Sequence, residues 1–188
     1  MIAYDLPVSM EIGGKIIPIR YGWRSIVDIL RACADPELDE YSKAEVILSI
    51  FYKEEIPAEH LQEALQKANA FIDCGCQRSD APQQKLMDWE QDAGILIPAI
   101  NSVAPSDIRL DPDIHWWTVF GWFMGIGDSV FSAVLRIRSK LAKGEKLDKA
   151  EREYYLSNRS MINLKNKETP EDQAAVADLI AWMEGDAY

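Results

Sequence analysis

The sequence predicts a mainly α protein, a helical bundle-like single domain with a short N-terminal β-hairpin. After Gly22, apolar residues recur at helical spacing almost throughout. Strand-like alternation is confined to one short stretch, about residues 8–20. Residues 107–140 hold three of the six Trp and one of the two His, so this segment either forms the centre of the core or docks a partner.

The hairpin comes first. Val8, Met10 and Ile12 alternate, Gly13-Gly14 intervene, and Ile16, Ile17 and Ile19 resume. A two-residue type I′ turn needs positive φ at both central positions, which two glycines supply. Trp23, Ile26, Val27, Leu30 and Cys33 then mark a helix that Asp35-Pro36 stops. Ser42-Lys43-Ala44-Glu45 has the pattern of a capping box, opening a helix to about Lys53. Pro57 suits a first helical turn, followed by a stripe of Leu61, Leu65, Ala68 and Ile72.

Residues 77–84 are polar and read as a loop. A helix is expected from about Lys85, with Trp89, Ala93, Leu96 and Ile100 on one side and Pro98 kinking or dividing it. Residues 104–112 form a connector. The aromatic segment opens behind Pro112, with Asp111 or Asp113 as its cap, and bends at residues 125–127 before reaching about Lys143. Lys143-Gly144 turns into a helix over residues 147–158. Thr169-Pro170-Glu171-Asp172 starts a last, acidic helix. Residues 1–167 are therefore expected to form the helical domain, with 168–188 packed on it.

Composition limits the function. Hydrophobic residues at 48% and charged residues at 27% are ordinary for a folded domain. A net charge of −11 argues against nonspecific binding to DNA or to an anionic membrane. Residues 136–167 nonetheless carry ten Lys or Arg against four Asp or Glu. Such a basic hairpin either folds back on acidic neighbours or docks an acidic partner or RNA. Cys33, Cys74 and Cys76 are odd in number and badly spaced for a structural bridge, which points to the inside of a cell. No secretory signal or bilayer-length apolar run is read in the sequence.

No residue pattern specifies a reaction. Gly127-Asp128-Ser129 resembles the opening block of one esterase class, but both His60 and His115 precede the serine, where that chemistry needs a later histidine. Ser129 reads instead as a helix-start residue. Asp88, Glu90 and Asp92 read as a solvated helix face, and Gly121 and Gly125 as a point where another helix approaches closely. His115 is expected to hydrogen-bond locally near a helix start. Trp116, Phe120 and Phe123 share one helical face and Trp117, Gly121 and Met124 another; such a helix is buried centrally or leaves one face as a groove. No cofactor and no metal is expected, because only two histidines could supplement the cysteines.

Several of these blocks together resemble the gene-product-fifteen family of phages of Gram-positive bacteria. They are Asp88-Trp89-Glu90-x-Asp92-Ala93, Asp107-Ile108-Arg109, His115-Trp116-Trp117-Thr118 with Phe120, and Arg136-x-Arg138 with Lys140. Gly144, Leu147, Glu151 and Asn158 complete the pattern. The resemblance implies a mainly helical protein without catalytic residues, similar to the tail assembly chaperones of long-tailed phages. Such a protein would bind a helical tail protein, the tape measure first and the major tail protein second, in the host cytoplasm. The alternative is a minor structural tail protein retained in the virion. Asp88, Trp89, Asp92, His115, Trp116, Trp117, Phe120, Arg136 and Arg138 are the candidate structural or partner-binding residues. One of the two arginines is expected to pair with an acid among 88–92, and Trp116 and Phe120 to lie buried against Trp89.

Overall fold

Gly13 and Gly14 set the first element, because both adopt positive φ (+54° and +79°) and close a two-residue turn. The turn joins β1 (Ser9–Ile12) to β2 (Lys15–Pro18) in antiparallel register, with Met10 opposite Ile17 and Ile12 opposite Lys15. Met10, Ile12 and Ile17 are therefore turned inward, while Ile16 on the other face stays exposed. The structure, a computed structural model, describes residues 5–76 and 84–165. The expected loop over 77–84 lies mostly outside those residues, and the expected acidic C-terminal helix lies wholly outside them.

The hairpin rests on three helices: α1 (Trp23–Cys33), α2 (Glu40–Phe51) and α3 (Leu61–Ile72). Helix α2 starts earlier than the Ser42 capping pattern suggests. Asp39 is the cap, its carboxylate accepting from the Ser42 N–H at 2.7 Å, and a carboxylate there also favours the positive helix end. Pro57 precedes a short 3-10 turn (Ala58–His60) rather than entering α3 itself. Within α3, Ala64, Ala68, Phe71 and Ile72 are buried, whereas Leu61 is exposed. Arg20 closes the far end of α2 by donating through Nη1 to the Ser49, Ile50 and Tyr52 carbonyls.

Helix α4 (Ala93–Asn101) begins at Ala93, not near Lys85. Asp88 explains the delay: its Oδ1 accepts from the Glu90 and Gln91 N–H groups at 2.9 Å, holding a turn before the helix. Pro98 does not divide α4, which continues to Asn101. A 3-10 turn (Ile108–Leu110) follows, capped by Asp107. The aromatic stretch forms α5 (Trp116–Met124), and a full break separates it from α6 (Val130–Ala142). Ser129 caps α6 reciprocally with Ser132, as its position suggested. Gly144, at φ +68°, turns the chain into α7 (Lys149–Ser157), and α8 (Arg159–Ile162) follows.

Three apolar clusters run through the described residues. The first joins the hairpin, α1, α2 and α3 to Trp116; the second joins α4, α5 and Phe131; the third joins α6, α7 and α8. Helices α5 and α6 are thus the shared walls. The close helix approach expected at Gly121 does not occur, since a Cβ there would meet nothing within 4 Å. Gly125 lies against Val103 and its own helix backbone instead. Among the described residues, no helix is long and apolar enough to cross a membrane.

At Gly13 a Cβ would sit 2.2 Å from His60 Nε2, whereas at Gly14 it would meet open space. Alanine at either position is expected to cost about 1–2 kcal/mol from the positive φ. Gly13→Ala should cost more, and His60→Ala should remove the excess; denaturant unfolding of the two single variants and the double variant checks this.

Candidate functional site

Arg138 and Asp92 form a buried ion pair, 6% and 1% exposed. Arg138 lies on α6 and Asp92 immediately precedes α4, and the two meet in a bidentate contact: Nη1 to Oδ2 at 2.6 Å and Nη2 to Oδ1 at 2.8 Å. The guanidinium also donates from Nη1 to Leu86 O (2.9 Å), from Nη2 to Met161 O (2.8 Å) and from Nε to Ile162 O (2.5 Å). All five N–H donors therefore have an acceptor, the condition under which a buried arginine is tolerated. Asp92 Oδ2 accepts further from the Asp88 N–H. Asp92 is thus no part of a solvated helix face. It is the counter-ion of α6, so one arginine does pair with an acid of the 88–92 block.

Arg136 and Lys140 lie one helical turn apart on another side of α6, and both reach Glu151 on α7. Lys140 Nζ contacts the two carboxylate oxygens at 2.7 and 2.6 Å, and Arg136 Nε lies at 3.3 Å. The Lys140 ammonium, with the Asp148 N–H, holds the Glu151 carboxyl below the usual carboxylate range. Glu151 at once completes the α7 capping box with Asp148. The alternation of basic residues at 136, 138 and 140 thus serves two separate internal acids. Asp88 pairs with Lys85.

The paired tryptophans close α3. Helix α3 ends with Cys74 at φ +54° and the Gly75 N–H bonded to Ala70 O at 2.8 Å, a Schellman arrangement. The Trp117 indole N–H donates to Phe71 O and that of Trp116 to Ile72 O, each at 2.8 Å. The last carbonyls of α3 thereby gain donors from α5. Trp116 is buried, with its ring centroid 6.0 Å from Trp89 and 5.8 Å from Phe120, while Phe120 is only partly buried.

His115, not Asp111 or Asp113, caps α5, its Nδ1 accepting from the Trp117 N–H at 3.1 Å. Its Nε2 faces Pro7 O at 3.0 Å; a carbonyl only accepts, so Nε2 carries the proton. Burial lowers the His115 pKa, against the opposing effect of the Pro7 bond. The ring also stacks on Tyr21, at 5.4 Å between centroids.

None of this forms a reactive centre. Ser129 is engaged as a cap, burial pushes the Cys74 thiol up to about 12, and no cluster among the described residues could hold a metal ion. One open feature was not legible in the sequence: a cleft of about 720 Å³ between α2 and α3. Leu48, Ile56 and Leu65 line it, with Tyr41 and Leu61 (78% and 41% exposed) at its mouth.

Replacing Arg138 by Met strands a buried carboxylate and should cost about 3–5 kcal/mol in denaturant unfolding. Adding Asp92→Leu should recover part of that loss. Trp116→Ala should cost about 3–5 kcal/mol as well; an unchanged melting midpoint would show that the indole is not core. His115 has a folded pKa below its unfolded value, so the unfolded state binds more protons below about pH 6.5. Stability should be full above that pH and fall as pH drops through the folded pKa. In His115→Asn this component should vanish, leaving a flatter profile between pH 7.5 and 5 than in the parent, measured by unfolding at each pH.

The family described as bacteriophage Gp15 protein matches residues 2–164. No curated protein and no solved structure matches the chain. The matched span includes every candidate residue, from the Asp88 turn to the Arg138 pair, and covers most of the sequence. The chain belongs to the bacteriophage Gp15 protein family.

Proposed function

We propose that this protein is a tail assembly chaperone, binding a helical phage tail protein, the tape measure first, without catalysing a reaction. Family membership over residues 2–164 carries the proposal, because it gives a structural or assembly role in a phage. A long helical client with an apolar stripe aggregates unless that stripe is covered while the tail is built. The residues that first suggested a site are engaged inside the fold. His115 and Ser129 serve as caps, and Asp92 and Glu151 are held by cations. The protein acts in the host cytoplasm and departs before the virion is complete.

Co-expression with the tape-measure protein of the same phage, followed by pull-down, tests the proposal. The expected result is a soluble complex. A tape measure that stays insoluble and unbound beside the folded protein overturns it. Proteomics of purified particles is expected to find none of the chain; its presence there in stoichiometric amount would favour a structural tail component.

A further inference from the structure

We infer that the acidic segment 168–188 docks, within its own chain, on the basic face formed by the 143–148 turn, α7 and α8, an inference independent of the chaperone proposal. Charge divides the chain into three blocks. Residues 1–135 carry ten Lys or Arg against 21 Asp or Glu, residues 136–167 carry ten against four, and residues 168–188 carry six acids and no base. A purely negative segment is repelled by the net charge of the first block and attracted by that of the second alone.

The second block keeps its surplus in the folded chain. Counting Asp92, which faces Arg138, the nine cations of residues 136–165 meet five acids; without Lys146 and Arg159, seven still meet five. Arg138 is buried, and Arg136 and Lys140 turn to Glu151, so the surplus lies further along. Lys143, Lys149 and Lys165 are exposed, and none of the three forms an ion pair among the described residues. The chain also leaves the described residues beside this face. Lys165 N–H donates to Gln91 Oε1 at 2.7 Å, and the Tyr155 hydroxyl of α7 donates to Asn163 Oδ1 at 3.2 Å. Glu168 follows Lys165 by three residues, at most about 10 Å of extended chain. The 21 residues from there span about 30 Å even as a helix, roughly twice the length of the nine-residue α7. Leu147, Tyr154 and Met161 are only partly buried at the edge of the third cluster, and Val176, Leu179, Ile180 and Met183 recur at helical spacing to meet them. A tether this short gives the segment a high effective concentration that a free acidic partner must exceed.

Hydrogen-exchange mass spectrometry on the full chain reads the docking as amide protection within residues 168–188. Raising the salt to about 1 M, where charges are screened beyond about 3 Å, should lower that protection about fivefold or more. Lys143→Glu with Lys149→Glu, both at exposed positions, should lower it about fivefold at low salt. Adding Glu171→Lys with Asp172→Lys should restore it, a rescue that a folding defect would not produce. A photo-crosslinking residue at position 173 should capture residues 143–165 of its own chain, read from an equal mixture of ordinary and heavy-isotope protein. Capture of residues 1–135 or of a second copy overturns the inference. So does protection indifferent to salt and to the charge exchanges. An unprotected segment in the parent chain also overturns it and leaves the basic face to a separate acidic partner.

Discussion

Packing in the second half of the molecule depends on one buried guanidinium. Arg138 projects from α6 into space bounded by the turn that precedes α4 and by the end of α8, and its five N–H groups take acceptors from all of these. Only one acceptor is charged at a side chain; three are main-chain carbonyls. That division matters, because a carboxylate fixes which residue faces the arginine, whereas carbonyls fix where the backbone must run. Gln91 reinforces the same junction by donating to Asn163 O and accepting from the Lys165 N–H. The ion pair therefore sets topology more than it adds net stability, in keeping with the desolvation that burial of two charges exacts.

Helix α5 plays the corresponding part in the first half. It is short, but it begins where Trp116 N donates to Tyr21 O and Trp23 N to Ile114 O, so its start is fixed to the chain entering α1. The indoles of Trp116 and Trp117 then terminate α3, and the rings of α5 continue through Phe123 to Phe131 on α6. Local capping and long-range packing are thus performed by the same side chains. This accounts for the order His, Trp, Trp: the imidazole opens one helix while the indoles close another.

Much of this was legible in the sequence, for identifiable reasons. Gly13-Gly14 specify their own backbone angles, and the Trp116 face specifies its own burial, so both needed only local information. The pairing of Arg138 with the 88–92 block was legible because opposite charges stood in two compact motifs. Asp92 was misread as a solvated residue because an acid near other acids looks like a helix surface until the residue facing it is known. The Ser42 pattern misled for a related reason: Asp39, three residues earlier, offers a stronger cap to the same helix. The α2–α3 cleft was illegible since exposure at Tyr41 and Leu61 depends on which elements do not cover them. Conversely, Met124 shares a helix with buried Trp116 yet is 67% exposed, since no described element packs over that side.

The sequence separation of the Arg138 contacts also orders events during synthesis. Everything that the first cluster needs has left the ribosome once Trp116 has emerged, so that part of the chain can close early. Arg138 is different: its Nε acceptor, Ile162 O, lies 24 residues further along, and Met161 O lies 23 further. Until those residues exist, the guanidinium has Asp92 and Leu86 but lacks two of its acceptors, and the Nε–H and one Nη2–H must stay hydrated. The pocket around it cannot dry out before then. A chain interrupted between α6 and α8 would hold its first cluster and still carry a wet, open seam along α6, which marks it as unfinished to any protease that cuts loosely packed backbone.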